Sequence, residues 1–152
     1  MAIQIGDKLP HFTALTQDGA SFDNKSVLQK PVVIYFYPKD NTPGCTAQAC
    51  SFRDAYQDFQ DLGAEVIGVS SDSVRSHQNF KNKYKLPFVL LSDADRKLRK
   101  LFGVPTAFFG FLPGRVTYVF DASGICIYIF DSLSAKGHIA KALQALQGAQ
   151  QK

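Results

Sequence analysis

Cysteine and histidine are scarce in this chain, with three of each in 152 residues. His11, His77 and His138 share no short, fixed offset with the cysteines. Zinc sites need ligands paired at such offsets, so no metal is expected. Three cysteines without a secretion signal also argue against a disulfide scaffold. They leave redox chemistry or burial as the uses of sulfur. Long apolar runs are missing too. The longest, such as Val32 to Tyr37 and Ile125 to Phe130, are far too short to cross a bilayer. The opening Met1 to Asp7 lacks the charged-then-apolar layout of a secretory signal, so a cytoplasmic location away from membranes is expected. Repeats, low-complexity tracts and linkers are absent, which predicts one domain over residues 1–152. Its hydrophobic content of 45% and charged content of 20% suit a soluble globular protein.

The net charge of +4 raises the question of nucleic acid. The basic residues answer against it. Lys81, Lys83 and Lys85, and Arg96, Lys97, Arg99 and Lys100, are interleaved with apolar residues in the manner of helices with a solvated side. Steering of an acidic redox partner is the alternative use of that charge.

One stretch organises the rest. Val32-Val33-Ile34-Tyr35-Phe36 is short, β-branched and aromatic, and reads as a buried strand. Pro38 and the Asn41 to Gly44 group read as a turn. From Cys45 the pattern becomes helical, with Ala49, Phe52, Tyr56 and Phe59 at spacings of three and four. Cys45 is thereby placed on the first turn of a helix. Backbone N–H groups are unpaired there and the dipole is positive, which favours a thiolate.

Pro38, Thr42 and Cys45 stand in a Pro-x-x-x-Thr-x-x-Cys pattern. This resembles the active-site signature of peroxiredoxins. Cys50, five residues on and followed by Phe52-Arg53-Asp54, is similar to the bacterioferritin comigratory protein (peroxiredoxin Q) subgroup. Gly6-Asp7-Lys8-Leu9-Pro10 near the start, and Arg115 opening a late strand, extend the likeness over nearly the whole chain. The resemblance implies a thiol peroxidase that reduces hydrogen peroxide and organic hydroperoxides without a cofactor. Cys45 is the implied nucleophile and Cys50 the resolving cysteine. Thr42 sets its hydroxyl beside the sulfur, Pro38 shields the thiolate from water, and Arg115 is brought against Cys45. Thioredoxin or a similar dithiol is the implied reductant, and a monomer the implied working unit. Gln48 stands where many relatives carry glutamate.

Helix geometry adds a condition. Residues five apart on one helix have Cα atoms about 8.6 Å apart, pointing about 140° apart, whereas a disulfide needs about 7 Å or less. If Cys45 and Cys50 share an intact helix, its first turns must unwind before they can bond. Cys126, inside Ile125 to Phe130, reads as an inert strand residue.

Along the chain, Phe12 to Asp23 reads as a hairpin turning at Gln17-Asp18-Gly19. The Cys45 helix is expected to run to Leu62-Gly63, followed by a strand at Glu65 to Val69 and a helix at Val74 to Tyr84. A strand at Phe88 to Leu91 and a helix at Asp95 to Phe102, with Leu98, Leu101 and Phe102 inward, come next. Gly103 to Gly114 is irregular but apolar; Phe108 to Leu112 within it is either packed into the core or a lip over the Cys45 pocket. A hairpin of Val116 to Phe120 and Ile125 to Phe130, then a helix at Lys136 to Leu146, complete the domain. This is an α/β order. With the resemblance it implies a thioredoxin-like fold, a mixed central sheet flanked by helices with an N-terminal hairpin extension. Two other functions use the same cysteines: a general thiol–disulfide oxidoreductase, and a redox sensor or chaperone. The first usually carries Cys-x-x-Cys, which Cys45 and Cys50 do not match.

Overall fold

The computed structural model describes residues 2–27, 29–107, 112–132, 134 and 137–150. Its centre is β3 (Val32–Phe36), in which every residue is buried. β3 runs parallel to β4 (Glu65–Ser70), which runs parallel to β5 (Val89–Ser92). On its other side β3 pairs antiparallel with β8 (Val116–Phe120), and β8 with β9 (Cys126–Asp131). The hairpin of β1 (Thr13–Thr16) and β2 (Ser21–Asp23) adds antiparallel to β5. The order is β2-β1-β5-β4-β3-β8-β9, the expected mixed sheet with the hairpin as its extension.

Alternation along β3 divides the core in two. Val33 and Tyr35 face a cluster that includes Cys45, Phe52, Phe59, Phe80 and Leu146. Those residues come from α1 (Pro43–Asp54), α2 (Tyr56–Asp61), α3 (Val74–Tyr84) and α5 (His138–Gln150). Val32, Ile34 and Phe36 face the opposite cluster, with Phe12, Tyr118, and Leu98 and Phe102 of α4 (Lys97–Phe102). Helices therefore cover both faces. Tyr35 stacks on Phe52 with ring centroids 4.5 Å apart, which fixes α1 over the sheet. Gly68 makes room for Tyr35, since a Cβ there would sit 2.9 Å from its hydroxyl oxygen.

Four local expectations need correction. The single helix to Leu62 is two, because the chain tightens at Ala55: the Asp58 N–H bonds to the Ala55 carbonyl three residues back. Leu101 is 41% exposed, not inward; on so short a helix Leu98 and Phe102, four apart, fill the buried face. Lys81 and Arg99 are not simply on solvated sides either: Arg99 is buried and the Lys81 ammonium donates to the Phe88 carbonyl at 2.7 Å. The segment read as irregular carries two short strands, β6 (Thr106–Ala107) and β7 (Leu112–Pro113), paired antiparallel. The aromatic part of the Phe108 to Leu112 segment lies outside the described residues. Among the described residues no helix is long and apolar enough to cross a membrane.

Candidate active site

The site forms where β3 ends and α1 begins. Pro43 occupies the first turn of α1, where its missing N–H costs nothing. Thr42 is the N-cap residue with extended backbone (φ −84°, ψ 153°), but its side chain does not cap the helix. Its hydroxyl donates to the Lys39 carbonyl at 2.8 Å and closes the loop on itself. Cys45 follows on the first helical turn, 1% exposed.

The antiparallel pairing of β8 with β3 decides what meets the sulfur. Val116 lies opposite Phe36, so the residue before β8 arrives beside the exit of β3. That residue is Arg115. Its Nη2 donates to Cys45 Sγ at 3.4 Å, and its Nη1 donates to Gln48 Oε1 one turn along α1. Arg115 is 6% exposed, so its charge acts with little screening by water. Gly44 permits this approach, since a Cβ there would stand 3.1 Å from Arg115 Nη2.

Of the residues singled out in the sequence, Cys45 and Arg115 are thus in hydrogen-bond contact, across 70 positions of chain. Thr42 is half-buried in the same loop, and Pro38 is buried at its start. Cys50 is half-buried on α1, and α1 is unbroken from Pro43 to Asp54, so both cysteines ride one intact helix. Both are free thiols in this state. Cys126 is elsewhere, buried on β9, where burial pushes its thiol up to about 11.

Three contributors were given no role in the sequence reading. Gln48 is fully buried as the Arg115 partner, with an Nε2 that has no partner among the described residues. Asp40 and His77 form a buried pair at 2.7 Å beneath the loop. An acidic residue five places before a helical cysteine was a visible oddity at Asp40; His77, 37 positions away, carried no local signal.

The AhpC/TSA family model matches residues 5–129. The chain belongs to that family, the peroxiredoxins. Members of the family are thiol peroxidases, and the curated relatives agree. The chain is similar to putative peroxiredoxin Q, chloroplastic, from Oryza sativa subsp. indica, 52% identical over 143 residues. The match covers 93% of this chain and 66% of that one. Peroxiredoxin Q, chloroplastic, from Arabidopsis thaliana is 50% identical over 95% of this chain and 67% of its own. The chain thus spans about two thirds of the length of these relatives. Among solved structures it resembles peroxidoxin BcpB of Mycobacterium tuberculosis, with a TM-score of 0.89 and 34% identity over 96% of this chain and 97% of that one. It also resembles a cysteine-to-serine mutant of PrxQ from Xylella fastidiosa, with a TM-score of 0.90 and 29% identity over 99% of both. The fold is the thioredoxin-like fold of peroxiredoxins. The cytoplasmic expectation is corrected: relatives from rice, wheat and Arabidopsis are all named chloroplastic. Organelle addresses are carried by targeting segments and not by the core of a domain, so domain composition does not report compartment.

Proposed function

We propose that this peroxiredoxin reduces hydroperoxides through Cys45, with Cys50 as resolving cysteine. The observation that carries the reading is the 3.4 Å contact from the Arg115 guanidinium to Cys45 Sγ at the start of a helix. A buried cation and the positive end of a helix both favour sulfur as the anion, which is the nucleophile. Attack on the peroxide O–O bond forms an S–O bond. The sulfur is oxidised by two electrons, and the distal oxygen leaves as hydroxide or alkoxide and takes a proton. Arg115 and the N–H groups of Gly44 and Cys45 would stabilise that developing charge. Thr42 would position the peroxide and Pro38 would exclude water, the roles their place in the loop allows. No metal or organic cofactor enters the scheme.

Cys50 sulfur then attacks the sulfenic acid, and water leaves as the disulfide forms. Both cysteines sit on α1. Their Cα atoms on an intact helix would stand about 8.6 Å apart, so the first turns unwind to let the bond form. Thioredoxin or a related dithiol would return both thiols. A monomer is the proposed working unit.

Mass spectrometry after one equivalent of hydrogen peroxide tests this. Trypsin releases both cysteines on the peptide Asp40 to Arg53. Loss of two hydrogens there, abolished by Cys45→Ser, is the expected result. A sulfenic or sulfinic mass on Cys45 with Cys50 free would remove the resolver, and a peptide untouched by peroxide would overturn the reading.

A further inference from the structure

The loop between β3 and α1 is held from below by groups the peroxidase chemistry does not use. Asp40 is buried within that loop. Its Oδ1 accepts from the Tyr37 hydroxyl at 2.6 Å. Its Oδ2 accepts from the Ser76 hydroxyl at 2.8 Å and lies 2.7 Å from His77 Nδ1. The Asp40 N–H donates to Asp72 Oδ2 at 2.8 Å. His77 is wholly buried, and its Nε2 lies 2.8 Å from the Leu91 carbonyl oxygen. A carbonyl has no proton to give, so Nε2 carries one. A second proton must lie between Nδ1 and Asp40, because two bare acceptors at that distance repel. The pair is therefore a proton-bridged clasp that ties the loop to α3 and, through Leu91, to β5. The next residue, Asn41, has φ 62°, a left-handed turn that few side chains adopt unaided.

The same atoms place Asp40, Asp72 and His77 within 4.8 Å of one another, a spacing that a metal ion could use. Their ligand atoms are already engaged by Tyr37, Ser70, Ser76, Leu91 and the Asp40 backbone. An internal clasp accounts for them without an ion.

The position of the clasp suggests its task. It fixes residues 37–40, and the chain reaches Cys45 five residues later. Peroxide attack needs this loop seated, while disulfide formation needs the first turns of α1 to leave. We infer that the Asp40–His77 clasp is a positioning device that sets how long oxidised Cys45 stays seated before Cys50 can reach it. The inference rests on the peroxidase reading above. Its chemical consequence is a partition. Seated sulfenic acid can meet a second hydroperoxide, which gives one oxygen to sulfur and departs as water or alcohol, leaving sulfinic acid. Released sulfenic acid instead condenses with the Cys50 thiol: the S–S bond forms, the S–O bond breaks and water leaves. A firm clasp favours the first branch and a weak clasp the second.

Asp40→Asn, His77→Gln and the milder Ser76→Ala loosen the clasp to different degrees. The chain has no tryptophan, so the readout is rapid acid quench followed by mass spectrometry of the tryptic peptide from residue 40 to Arg53. Disulfide formation should quicken about tenfold in the first two variants, in the range of couplings carried by networks of this kind. The peroxide concentration that yields half sulfinic acid should rise by the same factor, and initial oxidation of Cys45 should slow. Ser76→Ala should move all three in the same direction by less, and it serves if the buried substitutions prevent folding. A generally weakened fold would not raise resistance to sulfinic acid while slowing first oxidation. Folded variants with wild-type partition, or with slower disulfide formation, would overturn the clasp while wild type still cycles. A wild-type protein that makes no disulfide would instead remove the resolving role of Cys50, and the clasp with it.

Discussion

Gly44→Ala should stabilise the fold slightly while slowing the reaction with peroxide. The methyl group would arrive 3.1 Å from Arg115 Nη2 and 3.9 Å from Cζ, so the guanidinium must give way by a few tenths of an ångström. Its hydrogen bond to Cys45 Sγ already spans 3.4 Å, and its second bond holds it to Gln48. Retreat therefore lengthens the sulfur contact first. A hydrogen bond to a charged group contributes about 1.5–3 kcal/mol. Losing about half of that cuts kcat/KM for peroxide by about four- to twelvefold. The backbone pushes the other way. Gly44 has no positive φ and lies in the first turn of α1, where alanine loses less entropy on folding than glycine. That gain is about 0.5 kcal/mol, or a rise in Tm of about 1–2 °C in a domain of this size. Pre-steady-state oxidation by hydrogen peroxide, paired with thermal unfolding, separates the two effects. A variant with raised Tm and unchanged kcat/KM would refute the claim that Arg115 acts on Cys45 by close approach. A large fall in Tm would refute the account of the backbone.

Hydrogen exchange should show protected amides from Thr42 to Phe52 in the reduced protein and lost protection after oxidation to the disulfide; equal protection in both states would contradict the unwinding step. The His138 imidazole is buried, donates from Nε2 to the Ser132 carbonyl at 2.9 Å and accepts from the Thr117 hydroxyl at 2.8 Å, and burial holds it below its ordinary pKa of 6.5. The unfolded chain therefore binds a proton there before the folded one does, so this group's contribution is present above about pH 6.5 and is lost as the pH falls below it, by at most about 1.4 kcal/mol per pH unit. Melting from pH 7.5 to 5 should show that slope, reduced in His138→Gln. Cys126→Ser should keep wild-type peroxidase turnover, and Cys126 should resist thiol reagents at pH 8, because burial pushes its thiol to about 11; rapid labelling in the folded protein would contradict this.

The elements were legible where local pattern is strong. The apolar run Val32 to Phe36 became β3 with every residue buried, and the helix expected from Val74 to Tyr84 has those bounds, capped at Ser73 by a bond from the Ser76 N–H. Short-range reading failed where a few residues had to choose a face or a break, as at Leu101 and Ala55, since packing partners settle such choices.

The residues alone placed Cys45 on the first turn of a helix after a buried strand, because strand and helix periods and the Pro-Gly turn between them are local properties. They also put Cys50 five places on, and so posed the geometric obstacle to a disulfide. Which distant groups surround the sulfur was written nowhere in that stretch. The antiparallel register of β8 on β3 delivers Arg115 to Cys45, and the packing of α3 against the loop delivers His77 to Asp40. Both depend on pairings between segments dozens of residues apart, which local pattern cannot encode and only the folded sheet brings together.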